Sequence, residues 1–396
     1  MPSASATQSS SSAATEANTQ PCDTQISTAG LLPLDTSYST SLKNKVLKQL
    51  HLSLYRSGLS SLYGKLKRDS TAAIVMYHSI PAPHEVEWVD PCNCLSAEKF
   101  EEQIRYLAQH RNVISIEQLT QKLEASEPIE EGTVAITFDD GYLNNLTVAA
   151  PILAKYNVPA TLYLATDYIE KGANQWIDTI YSTFRARSKE QLNLPALAAK
   201  ATADNPAGPA KQSWDLSDPT ECIEAYREVT GYLIEASVEQ KQALLAELDT
   251  QLAPTTYPPR LTMTWDDVRD MQKNYPNITL GIHTANHVDL STHTVQTTQE
   301  ITTAVEQVTR ETGTRPEHLA FPYNRYNDEA LAQVEAANLR SAVAEGEDPV
   351  VRVGTSRYSL PRIEGPQTLT MLKSWTNGGF PDLSRRLFKR VWTRPY

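Results

Sequence analysis

Val134-Ala135-Ile136-Thr137-Phe138 is an unbroken apolar run, rich in β-branched and aromatic residues, that stops at Asp139-Asp140-Gly141-Tyr142. A run of this length and content predicts a buried strand, with Gly141 as the turn signal after it. The same pattern recurs along the chain. Strands are expected at 72–77, 112–116, 133–138, 159–164, 278–282, 318–322, 339–344 and 358–363, with helical patterns between many of them, such as Phe100 to Leu107. Strands alternating with helices argue for a parallel sheet closed into a barrel. A chain of 396 residues is long enough to bury one large core of this kind.

The polar residues that end these runs carry the chemistry. Adjacent side chains at a strand end diverge, so Asp139 and Asp140 can take different tasks. Two neighbouring carboxylates repel, and one takes up a proton unless a cation neutralises the pair. Ile278-Thr279-Leu280-Gly281-Ile282 reads as another short strand, ending at His283, and His287 follows at i+4. One Asp and two His make a three-ligand site for a divalent metal that leaves positions open for water and substrate. The second Asp is then free to act as a base. His78 ends the run 72–77 and is expected to line the same mouth. Each feature alone has an ordinary reading, a solvated Asp-Asp-Gly turn or a structural His pair. Together they point to a metal-assisted hydrolase.

The chain resembles the polysaccharide deacetylases, carbohydrate esterase family 4. Thr137-Phe138-Asp139-Asp140-Gly141-Tyr142 is similar to that family's first motif, His283-Thr284-Ala285-Asn286-His287 to its second and Phe321-Pro322-Tyr323 to the core of its third. Met76-Tyr77-His78 and Leu360-Pro361-Arg362-Ile363 resemble segments at the start and end of the domain. The resemblance runs from about residue 72 to 365, interrupted by a long insert. It implies a distorted (β/α) barrel of the polysaccharide deacetylase type. Asp140, His283 and His287 match the metal triad, with zinc the implied ion and cobalt or another divalent metal open. Asp139 matches the general base, and the backbone N–H of Tyr323 matches the oxyanion donor. Two positions depart from the pattern. Ala320 stands where an Arg usually braces the base, so Arg362 is the expected replacement and Arg325 the second. No His follows His318 to serve as general acid, which leaves His78 or an unassigned group. Tyr142, Pro322 and Trp265 are the expected substrate contacts. Trp176 and Trp265 sit near the ends of the insert, where either a stacked sugar ring or simple packing would suit them.

The remaining segments divide the chain further. Residues 1–40 are rich in Ser, Thr and Ala and predict a disordered low-complexity tail. In 41–70, Leu42, Val46, Leu47, Leu50 and Leu54 alternate with Lys43, Lys45, Lys48 and Arg56, a basic amphipathic helical segment broken near Gly58. It suits peripheral contact with an anionic membrane face, although a helix packed on the barrel with Lys toward water is the more ordinary reading. The barrel is expected over 71–366, with a helical insert at 167–260 that forms a lid or substrate wall, followed by an extension at 367–396. No signal-like or spanning stretch is present, which predicts a cytoplasmic protein, at most at the membrane surface. A net charge of −11 disfavours nucleic acid. Cys22, Cys92, Cys94 and Cys222 lack paired metal spacing. The oligomeric state is not legible. The expected function is metal-dependent removal of N-acetyl groups from an amino sugar in a polysaccharide or lipid-linked glycan. A degenerate barrel that binds glycan, or hydrolysis of another small C–N amide, remains open.

Overall fold

The computed structural model of the chain describes residues 70–198, 211–292, 294–346 and 350–377, together with Ser53 and Arg56–Gly58. The expected tail 1–40 and most of 41–70 and 367–396 lie outside the described residues. In chain order the strands are β1 (Thr71–Tyr77), β2 (Asn112–Val113), β3 (Thr133–Phe138), β4 (Ala160–Leu164), β5 (Gln191–Asn193), β6 (Ser213–Asp215), β7 (Ile278–Ile282), β8 (His318–Ala320), β9 (Ser341–Glu345), β10 (Val351–Arg352) and β11 (Leu360–Glu364). Seven of them form a closed parallel ring in the order β1-β11-β9-β8-β7-β4-β3, and a second pairing of β1 with β3, from Ala72↔Thr133 to Tyr77↔Phe138, completes the cylinder. The fold is therefore the expected (β/α) barrel, with seven strands in the ring. The run 112–116 contributes only β2, an edge strand outside the ring on β3. Ser115 ends it early, because its hydroxyl accepts from the Gln118 N–H in a reciprocal capping box and starts a helix.

The α-helices of six or more residues among the described residues are α1 (Ala97–His110), α2 (Ile116–Glu124), α3 (Ala150–Lys155), α4 (Thr166–Lys171), α5 (Trp176–Ala186), α6 (Pro219–Glu235), α7 (Val238–Leu252), α8 (Trp265–Asn274), α9 (Thr294–Thr312), α10 (Asp328–Ala336) and α11 (Leu369–Trp375). The expected helical insert holds the consecutive helices α6 and α7, separated where Ser237 caps α7 with Gln240 at its third position. Helices α5, α6 and α7 and the antiparallel β5–β6 hairpin form the insert, which has its own apolar core around Phe184, Trp214, Tyr226 and Leu248.

Strands buried on both faces read as continuous apolar runs, but their two faces remain separate. Val75, Tyr77, Ile136, Leu162, Leu164, Ala342 and Ala344 pack with Phe100, Ile104 and other helix residues. The alternate residues Ala72, Ile74, Ala135, Tyr163, Ala320, Val343 and Leu360 form a second cluster, which fills the barrel. Side chains two apart share a face. Counting on from Ile74, Ala135 and Leu360 therefore puts His78, Asp139 and Arg362 on the inward parity at the strand C-terminal ends. That end is where barrels of this type carry their sites. At the opposite end His318, the first residue of β8, is bonded to Ser341 and Glu117, and Arg340 bridges Glu117, Glu124 and Glu317. This is an ion-pair network with its partners satisfied.

Gly281 lies opposite Tyr163 in the β4–β7 pairing. A Cβ there would lie 2.5 Å from the Tyr163 ring and 2.8 Å from the His318 carbonyl oxygen. Gly281→Ala is expected to destabilise the barrel by about 1–3 kcal/mol through overpacking. A urea titration with an unchanged midpoint would show that the strand moves freely enough to admit the methyl group.

Candidate active site

Three loops meet at the mouth of the barrel. After β3 the chain turns sharply, with Asp140 at φ +75° and Gly141 at φ +82°. Gly141 suits this position because a Cβ would also press on Leu164 at 3.1 Å. After β7, the His283 N–H donates to the Leu164 carbonyl at 2.8 Å. The first turn of α4 holds the next residues, Thr166 N–H bonding Thr284 O at 3.2 Å and Asp167 N–H bonding Ala285 O at 2.9 Å. Asn286 is fixed through its backbone and side chain by Glu300. After β8, Pro322 cannot donate to a ladder, and Tyr323 and Asn324 follow in left-handed conformations, φ +55° and +56°.

These turns bring Asp140 Oδ1, His283 Nε2 and His287 Nε2 together, with Oδ1 3.7 Å from His283 and 3.4 Å from His287. The ligand atoms of the three residues lie within 4.8 Å of one another. Asp140 Oδ1 is buried with no hydrogen-bond partner among the described residues. The Nδ1 atom of His283 lies 2.8 Å from the Ala320 carbonyl. It must carry the proton to bond there, leaving Nε2 as a free lone pair. One carboxylate and two imidazoles, one of them oriented from behind, fit a divalent cation by number and by chemistry. Asp139 is held differently. Arg362 Nη1 donates to its Oδ1 at 2.7 Å, and Arg362 Nη2 donates to Asn324 Oδ1 at 3.2 Å.

The electrostatics separate the two carboxylates. Burial pushes Asp139 up, but the Arg362 guanidinium and His283 overcome it and hold the group below the usual carboxylate range. Burial also raises Asp140, and the neighbouring Asp139 and Asp178 add to the rise, so it lies well above its ordinary value. Burial lowers both His283 and His287, keeping the imidazoles neutral and available as donors. The arrangement sets Asp139, paired with Arg362, beside Asp140, whose side-chain neighbours are two imidazoles.

A cavity of about 270 Å³ opens onto this cluster, lined by His78, Asp139, Asp140, His283, His287, Tyr323 and Arg362. Trp176, Ile177, Thr230 and Ile234 from the insert form part of its wall. Other expected contacts lie elsewhere. Trp265 is outside the cavity lining, its indole N–H bonded to Glu170 at 2.6 Å and its ring packed in the barrel's outer core. Tyr142 is buried, with its hydroxyl donating to Asp178 at 2.7 Å, and so braces the insert. Pro322 is buried and not among the lining residues. Arg325 pairs with Asp289 at 3.1 Å, which leaves Arg362 as the brace of Asp139. Asn324, which accepts from Arg362, and Lys241, which donates to the Tyr323 hydroxyl, have no counterpart in the sequence reading; an Asn after Pro-Tyr and a Lys within a helix give no periodic signal.

The polysaccharide deacetylase family profile matches residues 126–203 and 224–342, and the chain belongs to that family. YxkH of Bacillus subtilis (strain 168), which carries a polysaccharide-deacetylase name, is 29% identical over 108 residues, 26% of this chain and 36% of that protein. Among solved structures, the deacetylase PplD of Streptococcus pyogenes in complex with acetate is 18% identical, covering 77% of this chain and 98% of that one, with a TM-score of 0.49. IcaB from Ammonifex degensii is 12% identical over 78% of this chain and 98% of its own, also with a TM-score of 0.49. No helix among the described residues is long and apolar enough to cross a membrane.

Two measurements probe this electrostatic arrangement. Arg362 is 2% exposed, so Arg362→Met strands a buried carboxylate and is expected to lower stability by about 3–5 kcal/mol. A loss below about 1 kcal/mol in chemical denaturation would mean that Asp139 is neutralised by some other group. Burial pushes His78 down to about 4, below its unfolded value of about 6.5. Its contribution is therefore unimpaired above pH ~6.5 and lost as pH falls toward 4, because the unfolded chain takes up a proton that the folded one refuses. In chelator-treated protein, His78→Gln is expected to lose less stability across that window than the parent. Parallel stability curves would contradict it.

Proposed function

We propose that the chain is a metal-dependent hydrolase that removes N-acetyl groups from an amino sugar in a polysaccharide or lipid-linked glycan. One observation carries the reading. Asp140, His283 and His287 converge with an unpartnered carboxylate oxygen, while the adjacent Asp139 is locked separately by Arg362. Asp140, His283 and His287 would hold the ion. When bound, a divalent ion supplies Lewis acidity toward a carbonyl oxygen and toward water. Zinc suits the mixed carboxylate and imidazole donors, although cobalt would also be accommodated.

The protein groups divide the remaining work. Asp139, kept ionised and oriented by Arg362, accepts a proton from the attacking water. The backbone N–H of Tyr323 donates to the acetamide oxygen as negative charge develops on it; one such donor is typically worth about 10²–10³ in rate. Burial leaves His78 neutral near pH 7. It therefore offers a hydrogen bond to the leaving group and stores no proton for it. The proton taken up by Asp139 is the one the departing amine requires, so hydrolysis of the C–N bond balances with acetate and amine as products. The insert wall of Trp176, Ile177 and Ile234 supports an enclosed sugar rather than a flat, open groove. Arg362 supplies the base-bracing role that Ala320 cannot, which weakens the reading of a degenerate glycan-binding barrel.

Acetate release from N-acetylglucosamine oligomers, with zinc or cobalt added, tests the proposal. Asp139→Asn is expected to lower turnover by about 10²–10⁴-fold while the protein retains metal by elemental analysis. Metal-replete parent protein that is as inert as the variant, on oligomers and on lipid-linked acceptors alike, would overturn the deacetylase reading.

A further inference from the structure

Lys241, on α7 of the insert, is buried to 4% exposure. Its ammonium donates to the His287 carbonyl at 3.2 Å and to the Tyr323 hydroxyl at 3.1 Å. It also lies 5.8 Å from the Trp176 ring centre and 5.5 Å from that of Tyr323. The Tyr323 hydroxyl accepts a second bond from Trp176 Nε1 at 3.0 Å and donates its own proton to the His287 carbonyl at 3.2 Å. A phenol has one proton and two lone pairs, so this hydroxyl is fully used. The His287 carbonyl likewise takes two donors.

The two residues joined in this way are backbone outliers. His287 has φ +51° and Tyr323 has φ +55°. For residues with a Cβ, such conformations are strained and persist only where the surroundings hold them. The surroundings here are two side chains from the insert. The Tyr323 ring also stands edge-on to the His287 imidazole, with centroids 4.6 Å apart, so displacement of one is transmitted to the other.

We infer that Lys241 and Trp176 are positioning residues: through the Tyr323 hydroxyl and the His287 carbonyl, the insert holds the imidazole of His287 and the peptide N–H of Tyr323 in register. The inference rests on the roles given to His287 and Tyr323 above. It makes the insert part of the catalytic apparatus as well as a wall of the cleft. Neither residue touches the reacting atoms in this scheme; each acts through its neighbours.

The experiment compares the parent with Lys241→Met, Tyr323→Phe and the double variant in the full chain. Removing supporting partners of this kind typically costs about 10–100-fold in activity. The expected loss is in kcat, with KM nearly unchanged, and the double variant should fall no further than the weaker single one, because both remove the same node. Amide hydrogen exchange across 283–289 and 321–326 should rise roughly tenfold while 133–138 stays at the parent rate. Parent exchange rates in both segments of Lys241→Met would overturn the inference. A uniform rise across the whole barrel would also overturn it, since that is what a purely structural lysine produces. If Lys241→Met does not fold, Tyr323→Phe, which deletes one oxygen atom, carries the same comparison. A parent that releases no acetate defeats the deacetylase reading alone, because the exchange pattern decides the positioning role without turnover.

Discussion

Two carboxylates that follow one another in the chain, both buried at the end of the same strand, set the terms for the rest of the molecule. Asp139 and Asp140 cannot both ionise in a dry pocket unless each has its own compensation. Asp139 has Arg362, carried by a strand more than two hundred residues further along. Asp140 faces the imidazoles of His283 and His287 instead, and no Lys or Arg pairs with it among the described residues. The asymmetry turns chemically identical neighbours into an anion fixed by an arginine and a carboxylate that faces two imidazoles. It also makes barrel closure indispensable, because Arg362 reaches Asp139 only when β11 lies beside β1 and β1 beside β3.

Backbone strain concentrates at the same place. Asp140, Thr284, His287, Tyr323 and Asn324 all adopt positive φ. Short left-handed turns let a strand end fold back, so that a side chain or an N–H is presented into the mouth instead of along the strand axis. Such turns need external support, and here it comes from the first turn of α4, from Glu300 and from the insert. The insert is tied down on its other side as well: Asp178 accepts from Tyr142 and from the Asp90 N–H, and Arg185 pairs with Glu87. Its own apolar core packs α5, α6 and α7 together between these anchoring points.

Much of this was legible in the residues. The strand runs at 72–77, 133–138, 159–164, 278–282 and 358–363 fall within two residues of β1, β3, β4, β7 and β11, because strands buried on both faces must be apolar throughout. The period of two then places His78, Asp139, His283 and Arg362 on a common face. Where local chemistry overrides periodicity, the strand runs end early: Ser115 begins a helix by capping its free N–H groups, and β8 stops before Pro322. Aromatic residues near a motif look alike in one dimension, so the sequence alone offers Trp265 and Tyr142 as substrate contacts. A hydrogen bond to Glu170 and one to Asp178 make them internal braces instead.

The sequence by itself determined the barrel and set Asp139, Asp140, His283 and His287 at or just beyond its strand ends, as polar groups able to serve a cation or a proton. These depend on local hydrophobicity, on the strand period and on ligand chemistry, all of which are written in short stretches of chain. Only the tertiary structure decided which arginine faces Asp139, which aromatic residues reach the cavity, and that Lys241 and Trp176 secure His287 and Tyr323. Those are contacts between residues tens to hundreds of positions apart, selected by strand order and by the packing of the insert, and no periodic pattern encodes them.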